Sequence, residues 1–150
     1  MKLSKNYNLE HFLVCRDYPE MLRGVHIPSH KKWKLLLLAL ILVQRIHDLV
    51  GPLTITKGFV TPELNKQLKG KPQNQHLYGE AVDYTVVKDG KIDYEAMETS
   101  LAYVKSTLSP AVGECVEHRD PEGRLFMVHL SLPDHRRCGV FSVRRYRNDG

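Results

Sequence analysis

Three cysteines, Cys15, Cys115 and Cys138, are all that this chain of 150 residues contains, and no two stand in C-x-x-C spacing. So scattered and odd-numbered a set argues against a disulfide framework and for a reducing compartment during synthesis, with the thiols acting as small buried hydrophobes. A run long enough to cross a membrane is also missing. The apolar stretch 35–43 is hemmed in by Lys31, Lys32, Lys34, Gln44 and Arg45, far short of the roughly 20 residues a span requires, so it reads as a central buried helix. No apolar core follows Lys2 and Lys5, which predicts no cleavable signal and a chain that is cytoplasmic when made. Repeats and low-complexity segments are absent. Acidic residues are the minority: 17 against 22 Lys and Arg give a net charge of +5. That balance favours an anionic partner such as a wall polymer, a nucleic acid or a membrane surface, without choosing among them.

The length suits one domain over residues 1–150 with a core of its own. Asn8 is placed to cap a short helix that Tyr18-Pro19 redirects, and Ser29 to cap a long one running to about Leu49. Gly51-Pro52 ends that helix, residues 53–56 read as a first strand, and Thr61-Pro62-Glu63 opens a short helix ending near Leu68. Residues 69–75 form a polar loop, 81–87 a second strand, and Asp89-Gly90 a turn. Asp93 then caps a helix carrying Tyr94, Met97, Leu101, Val104 and Leu108 at helical spacing until Ser109-Pro110. Residues 114–118 and 125–132 are two strands around the turn Asp120-Pro121-Glu122-Gly123. A three-residue loop there sets Asp120 opposite Arg124 and Glu117 opposite Met127, so that Glu117 and His129 share a face; a two-residue loop presents Glu114 instead. The arginine-dense tail 135–147 reads as a final edge strand with a solvated basic face, and no nucleic-acid recognition fold accompanies it.

One segment carries chemistry. In Gln75-His76-Leu77-Tyr78-Gly79-Glu80-Ala81-Val82-Asp83 a histidine and an aspartate stand either side of a glycine, and a turn at Gly79 folds the chain back so that the two converge. They supply two of the three donors that a catalytic zinc takes from protein. The candidate third is His129, a polar imidazole inside the apolar run 125–132.

Thr54-Ile55-Thr56-Lys57-Gly58-Phe59-Val60-Thr61-Pro62-Glu63-Leu64-Asn65, then the His76 to Asp83 segment, then Met127-Val128-His129-Leu130-Ser131 resemble, in order and spacing, the D-Ala-D-Ala carboxypeptidase class of zinc peptidases. That class includes peptidoglycan endopeptidases of phage lysins. Its pattern is approximately S-G-Y-R-S-P-E-L-N, S-x-H-x-x-G-x-A-x-D and W-x-H, and the opening residues 1–9 are similar to those of small single-domain members.

The resemblance implies an α+β fold, a small antiparallel sheet packed against helices with a zinc site on the sheet, of the Hedgehog and D-Ala-D-Ala peptidase type. It implies zinc on His76, Asp83 and His129, cutting peptidoglycan peptides with metal-activated water. The proton-transferring carboxylate stands three residues before the last histidine in many relatives, where this chain has Phe126; in small members it comes from the preceding strand, which points to Glu117. Valine at position 60 replaces the family's arginine, and losing one oxyanion donor costs about 100- to 1000-fold. Lys57 is the nearby substitute for substrate binding, and Asn74 stands where the serine of S-x-H would be. Two functions follow: an active zinc peptidase, carboxypeptidase or endopeptidase, reaching the wall after export, after lysis or within a phage particle; or a zinc-binding structural or wall-binding module that has lost turnover.

Overall fold

A computed structural model describes residues 1–148. The long helix begins at Ser29 with Pro28, not Ser29, in the capping position, and runs through α1 (Ser29–Leu38), a π segment (Ala39–Val43) and α2 (Gln44–Val50). Gly51, at φ +93°, ends it. Leu35, Leu38, Ala39, Leu42, Val43 and Ile46 face the core, but Trp33, Leu37, Leu40 and Ile41 are exposed. The helix is therefore not buried on all faces as its composition predicts; the sheet covers only one side of it. Among the described residues, no helix is long and apolar enough to cross a membrane.

Strand β1 (Thr54–Lys57) leads to α3 (Pro62–Gln67), where the Thr61 hydroxyl accepts a hydrogen bond from the Leu64 N–H. Strand β2 covers only Ala81–Thr85. Beyond it the chain leaves the sheet to form a separate hairpin, β3 (Val87–Lys88) with β4 (Lys91–Ile92), because Asp89 and Gly90 both take positive φ in the tight turn between them. The Asp93 carboxylate accepts from the Ala96 N–H and opens α4 (Tyr94–Tyr103), which a π segment (Val104–Leu108) and a 3-10 turn (Ser109–Ala111) extend.

The main sheet has the order β1-β2-β6-β5-β7, with β5 at Glu114–Arg119, β6 at Leu125–Ser131 and β7 at Val140–Arg145. Pairing is antiparallel except at the last strand, which lies parallel to β5 and makes the sheet mixed. As the tail composition predicts, β7 is an exposed edge. One face of the sheet, with Val82, Tyr84, Cys115, Val128 and Leu130, packs on Leu35, Leu38, Leu42, Met97 and Leu101 in the principal core. A second small cluster gathers Cys15, Leu22, Val60, Leu64 and Leu77 beneath the loops. Cys15 and Cys115 are buried as expected, but Cys138 is exposed.

The β5–β6 hairpin decides which side chains meet. Its tip is the expected three-residue loop: Gly123 sits at φ +83° and the Asp120 N–H donates to the Arg124 carbonyl at 2.9 Å. Arg119 then pairs with Leu125, but His118 pairs with Met127, so Phe126 is an extra, bulged residue. Its ring packs against His118 and Tyr146, at centroid distances of 6.2 and 5.2 Å. The bulge shifts every later pair by one, setting Glu117 opposite Val128 and Val116 opposite His129. Glu117 is thereby turned to the helix-covered face, and Glu114, Val116 and His118 to the face that carries His129.

Candidate metal centre

On the face away from the helices the registers set a row across four strands: Lys57 opposite Asp83, Asp83 opposite His129, and His129 opposite Val116. His76 reaches the row from above, on a single turn over Gln75–Tyr78 that the Asn74 side chain caps by accepting from the His76 N–H. Gly79 closes this turn at φ +72°, and a Cβ there would stand 2.8 Å from the Lys31 carbonyl oxygen. Both the conformation and the space require glycine.

Three donors converge. The Asp83 Oδ1 atom lies 2.8 Å from His129 Nδ1 and 3.2 Å from His76 Nε2, and one ligand atom from each residue falls within 4.8 Å of the others. Each imidazole has its second nitrogen matched to an acceptor. His76 Nδ1 is 2.7 Å from the Gly58 carbonyl, and His129 Nε2 is 3.4 Å from Glu114 Oε1. Protons held at those two positions leave His76 Nε2 and His129 Nδ1 with lone pairs aimed at one point, the outer arrangement found around metal-bound histidines. His76 is only 2% exposed, and among the described residues its Nε2 has no hydrogen-bond partner. A buried, unpartnered ring nitrogen is costly unless a cation claims it. Two borderline nitrogens and a carboxylate, three donors in all, match the open site of a catalytic divalent metal.

In the metal-free centre the two imidazoles differ in protonation. Burial pushes His76 below its ordinary 6.5, with Asp83 only partly offsetting it, so the ring is neutral and ready to ligate. Burial would also lower His129, but hydrogen bonds to Asp83 and Glu114 outweigh it and raise the group to about 9, so that without a cation its Nδ1 keeps a proton and donates it to Asp83, a proton that a metal would displace. Asp83 is held well below the ordinary carboxylate range, because the two histidines overcome the effect of burial.

The sequence-expected residues fall into three groups. His76, Asp83 and His129 meet. Lys57 and Asn74 border the cluster: the Lys57 ammonium stands 3.6 Å from Asp83 Oδ2, while Asn74 is committed to the cap and to a hydrogen bond with Asn65 Oδ1. Glu117 does not come to the site. It lies on the far face with its carboxylate 2.9 Å from Lys105 Nζ and 2.8 Å from Arg119 Nε, and Glu114 takes the place expected of it beside His129. Val60 is fully buried in the smaller apolar cluster. Arg137, in the tail whose composition predicts a solvated basic face, instead lines a 280 Å³ cavity together with His129 and Glu114. A second cavity, of 270 Å³, flanks the row on the Asp83 side and is lined by Lys57, Thr56 and Met127.

The Peptidase M15 family profile matches residues 13–107. The chain belongs to the Peptidase M15 family. The matched stretch takes in His76 and Asp83 and stops before Glu114 and His129. No curated protein matches the chain. Membership makes this a metallopeptidase-family chain of α+β architecture with its candidate metal cluster on the sheet.

Proposed function

We propose that this chain is a zinc-dependent peptidase acting on peptide bonds of peptidoglycan. The observation that carries the reading is the convergence of His76, Asp83 and His129 with the outer nitrogen of each imidazole already matched to an acceptor. Peptidoglycan as the target rests on the family and on the likeness to D-Ala-D-Ala peptidases. Zinc on these three residues would supply a Lewis acid and an activated water at neutral pH.

The chain's own groups supply the rest. Glu114 stands 3.4 Å from Nε2 of His129 and keeps a proton at that nitrogen, which leaves Nδ1, hydrogen-bonded to Asp83 in the absence of a cation, as the nitrogen that would ligate. Its carboxylate is only partly exposed and faces the 280 Å³ cavity, where it takes a proton from water and returns it to the leaving amine. Lys57, beside Asp83, is the cation nearest the cluster and offers positive charge to the developing oxyanion in place of the missing arginine.

A second reading, a zinc-binding module without turnover, is favoured by two observations: Glu117 is turned away, and Val60 is sealed in apolar packing. Zinc content and hydrolysis of purified wall, measured on the native chain, on Glu114→Gln and on Glu117→Gln, separate the two. Glutamine keeps an acceptor for His129 and cannot take the proton. The peptidase reading expects Glu114→Gln to retain zinc and lose about 100- to 10,000-fold in rate, with Glu117→Gln close to native. Zinc bound with no cleavage by the native chain establishes the module.

A further inference from the structure

The helix from Ser29 to Val50 packs one side on the core and turns another to solvent, and that outer side is apolar. Trp33, Leu37, Leu40 and Ile41 stand at i, i+4, i+7 and i+8, the spacing of one helical face, and all four are exposed, Trp33 by 66% and Leu40 by 48%. Single exposed leucines are ordinary on a protein surface. Four large apolar side chains in one row, about 12 Å of helix, make a continuous patch. The core does not require them, because Leu35, Leu38, Leu42 and Ile46 supply the buried side of the same helix.

Charge around the patch is nearly all of one sign. Between Ser29 and Val50 stand Lys31, Lys32, Lys34 and Arg45 against a single acid, Asp48, whose Oδ1 accepts from Gln44 Nε2. Lys34 is paired with Glu80, and Lys31 lies over the rings of Phe59 and Tyr78. Lys32, next to Trp33, and Arg45, one turn past Ile41, make no side-chain hydrogen bond or ion pair among the described residues. Lys5 adds a third such cation. The residues on either side of it donate to Gln44 Oε1, Ser4 through its hydroxyl at 2.8 Å and Asn6 through its N–H at 2.9 Å, which sets exposed Lys5 beside the helix one turn past Leu40.

We propose that this face docks on an anionic lipid bilayer, with Trp33, Leu37, Leu40 and Ile41 at the boundary of headgroups and acyl chains and Lys5, Lys32 and Arg45 against the headgroup charge. The two halves of the surface together choose among the anionic partners that the net charge leaves open. A wall polymer or a nucleic acid would answer the cations but offers no apolar phase to receive the row. A second copy of the chain would cover the row but would press two basic rims together, with only Asp48 on each to offset them. A bilayer with anionic headgroups meets both, as it does for amphipathic helices lying in the plane of the interface. The helix rests on the surface and does not span it, since among the described residues none is long and apolar enough to cross. The metal cluster lies on the sheet face away from the helices, so a docked chain keeps that centre open to water. This placement does not depend on the peptidase reading.

Trp33 is the one tryptophan of the chain, so its fluorescence reports the contact directly. The full chain is titrated with phosphatidylcholine vesicles, with and without phosphatidylglycerol, and flotation measures the bound fraction. With the anionic lipid the emission is expected to move to the blue and to be shielded from acrylamide. Binding should be about 10- to 100-fold tighter than to phosphatidylcholine alone, because each cation at an anionic surface contributes about 5-fold. Leu37→Gln with Leu40→Gln should weaken it by about 10-fold or more through lost apolar burial, and Lys32→Gln with Arg45→Gln by a similar factor through lost charge. Both pairs lie at the surface, so circular dichroism should show native melting. No blue shift with either vesicle, equal binding to the two vesicles, or binding that survives both pairs of substitutions overturns the proposal. So does a blue shift that grows with protein concentration in lipid-free buffer, which assigns the face to a second copy, or binding of polyphosphate with no response to vesicles, which leaves the cations alone at work.

Discussion

Replacing Glu117 with glutamine is expected to weaken the fold and leave the metal centre alone. The side chain lies on the helix-covered face, its residue 6% exposed, with one oxygen 2.8 Å from Arg119 Nε and the other 2.9 Å from Lys105 Nζ. Removing one partner of a buried pair costs about 3–5 kcal/mol when the other is stranded. Neither is stranded here. Arg119 keeps Glu98, at 2.7 Å, and Lys105 is half exposed and returns to water. The loss should therefore be smaller, about 2 kcal/mol, the scale of charge-assisted hydrogen bonds exchanged for neutral ones. For a chain of this size that is a fall of roughly 4–8 °C in Tm.

The effect has a pH signature. Burial opposes ionisation of Glu117, but Lys105 and Arg119 outweigh it and hold the carboxyl below its ordinary 4.5. A group whose pKa is depressed by folding stabilises the native state above its unfolded value and loses that contribution as the pH falls through the folded one. The gap between native and Glu117→Gln should be full at pH 7 and close progressively below 4.5. Urea titrations at several pH values, with zinc content and hydrolysis measured on the same samples, check it. A variant of native stability that lost hydrolysis would refute both the register and the role derived from it.

Stripping metal with a chelator should lower Tm by roughly 8–16 °C if the ion is present at about 1000 times its Kd, and Asp83→Asn, which removes the shared anionic donor, should abolish that difference in thermal melts. Gly79→Ala forces a side chain into positive φ and against the Lys31 carbonyl; an expected cost of about 1–3 kcal/mol with weakened zinc affinity is read by denaturation and metal titration. Val60→Arg puts a charge into a fully buried apolar site, so it should unfold the chain by about 4 kcal/mol or more, visible in circular dichroism, and should not restore an oxyanion donor.

Most local signals in the sequence match the structure, although Ser29 begins α1 instead of capping it. The caps at Thr61 and Asp93, the turn at Gly79 and the convergence of His76 with Asp83 each depend on a few neighbouring residues. His129 was legible because an imidazole in an apolar run needs a partner. Glu117 was misplaced because the bulge at Phe126 is held by packing on His118 and on Tyr146, 20 residues further along, and no spacing within the hairpin announces it. Arg137 was hidden for a similar reason, since its position is set by Asp134 and by a carbonyl of a distant loop. The exposed stripe from Trp33 to Ile41 was obscured because an apolar run does not say how many of its sides a neighbour will cover.

The strand order β1-β2-β6-β5-β7 also sets a timetable for biosynthesis. Strand β2, bearing Asp83, leaves the ribosome more than thirty residues before β6, which must dock along its free edge and which alone brings His129. A nascent chain holding only His76 and Asp83 is a poor chelator, so a cation would be captured only after the hairpin has slotted in. A metal held there would then be a latch on the finished sheet and not the seed around which it assembles.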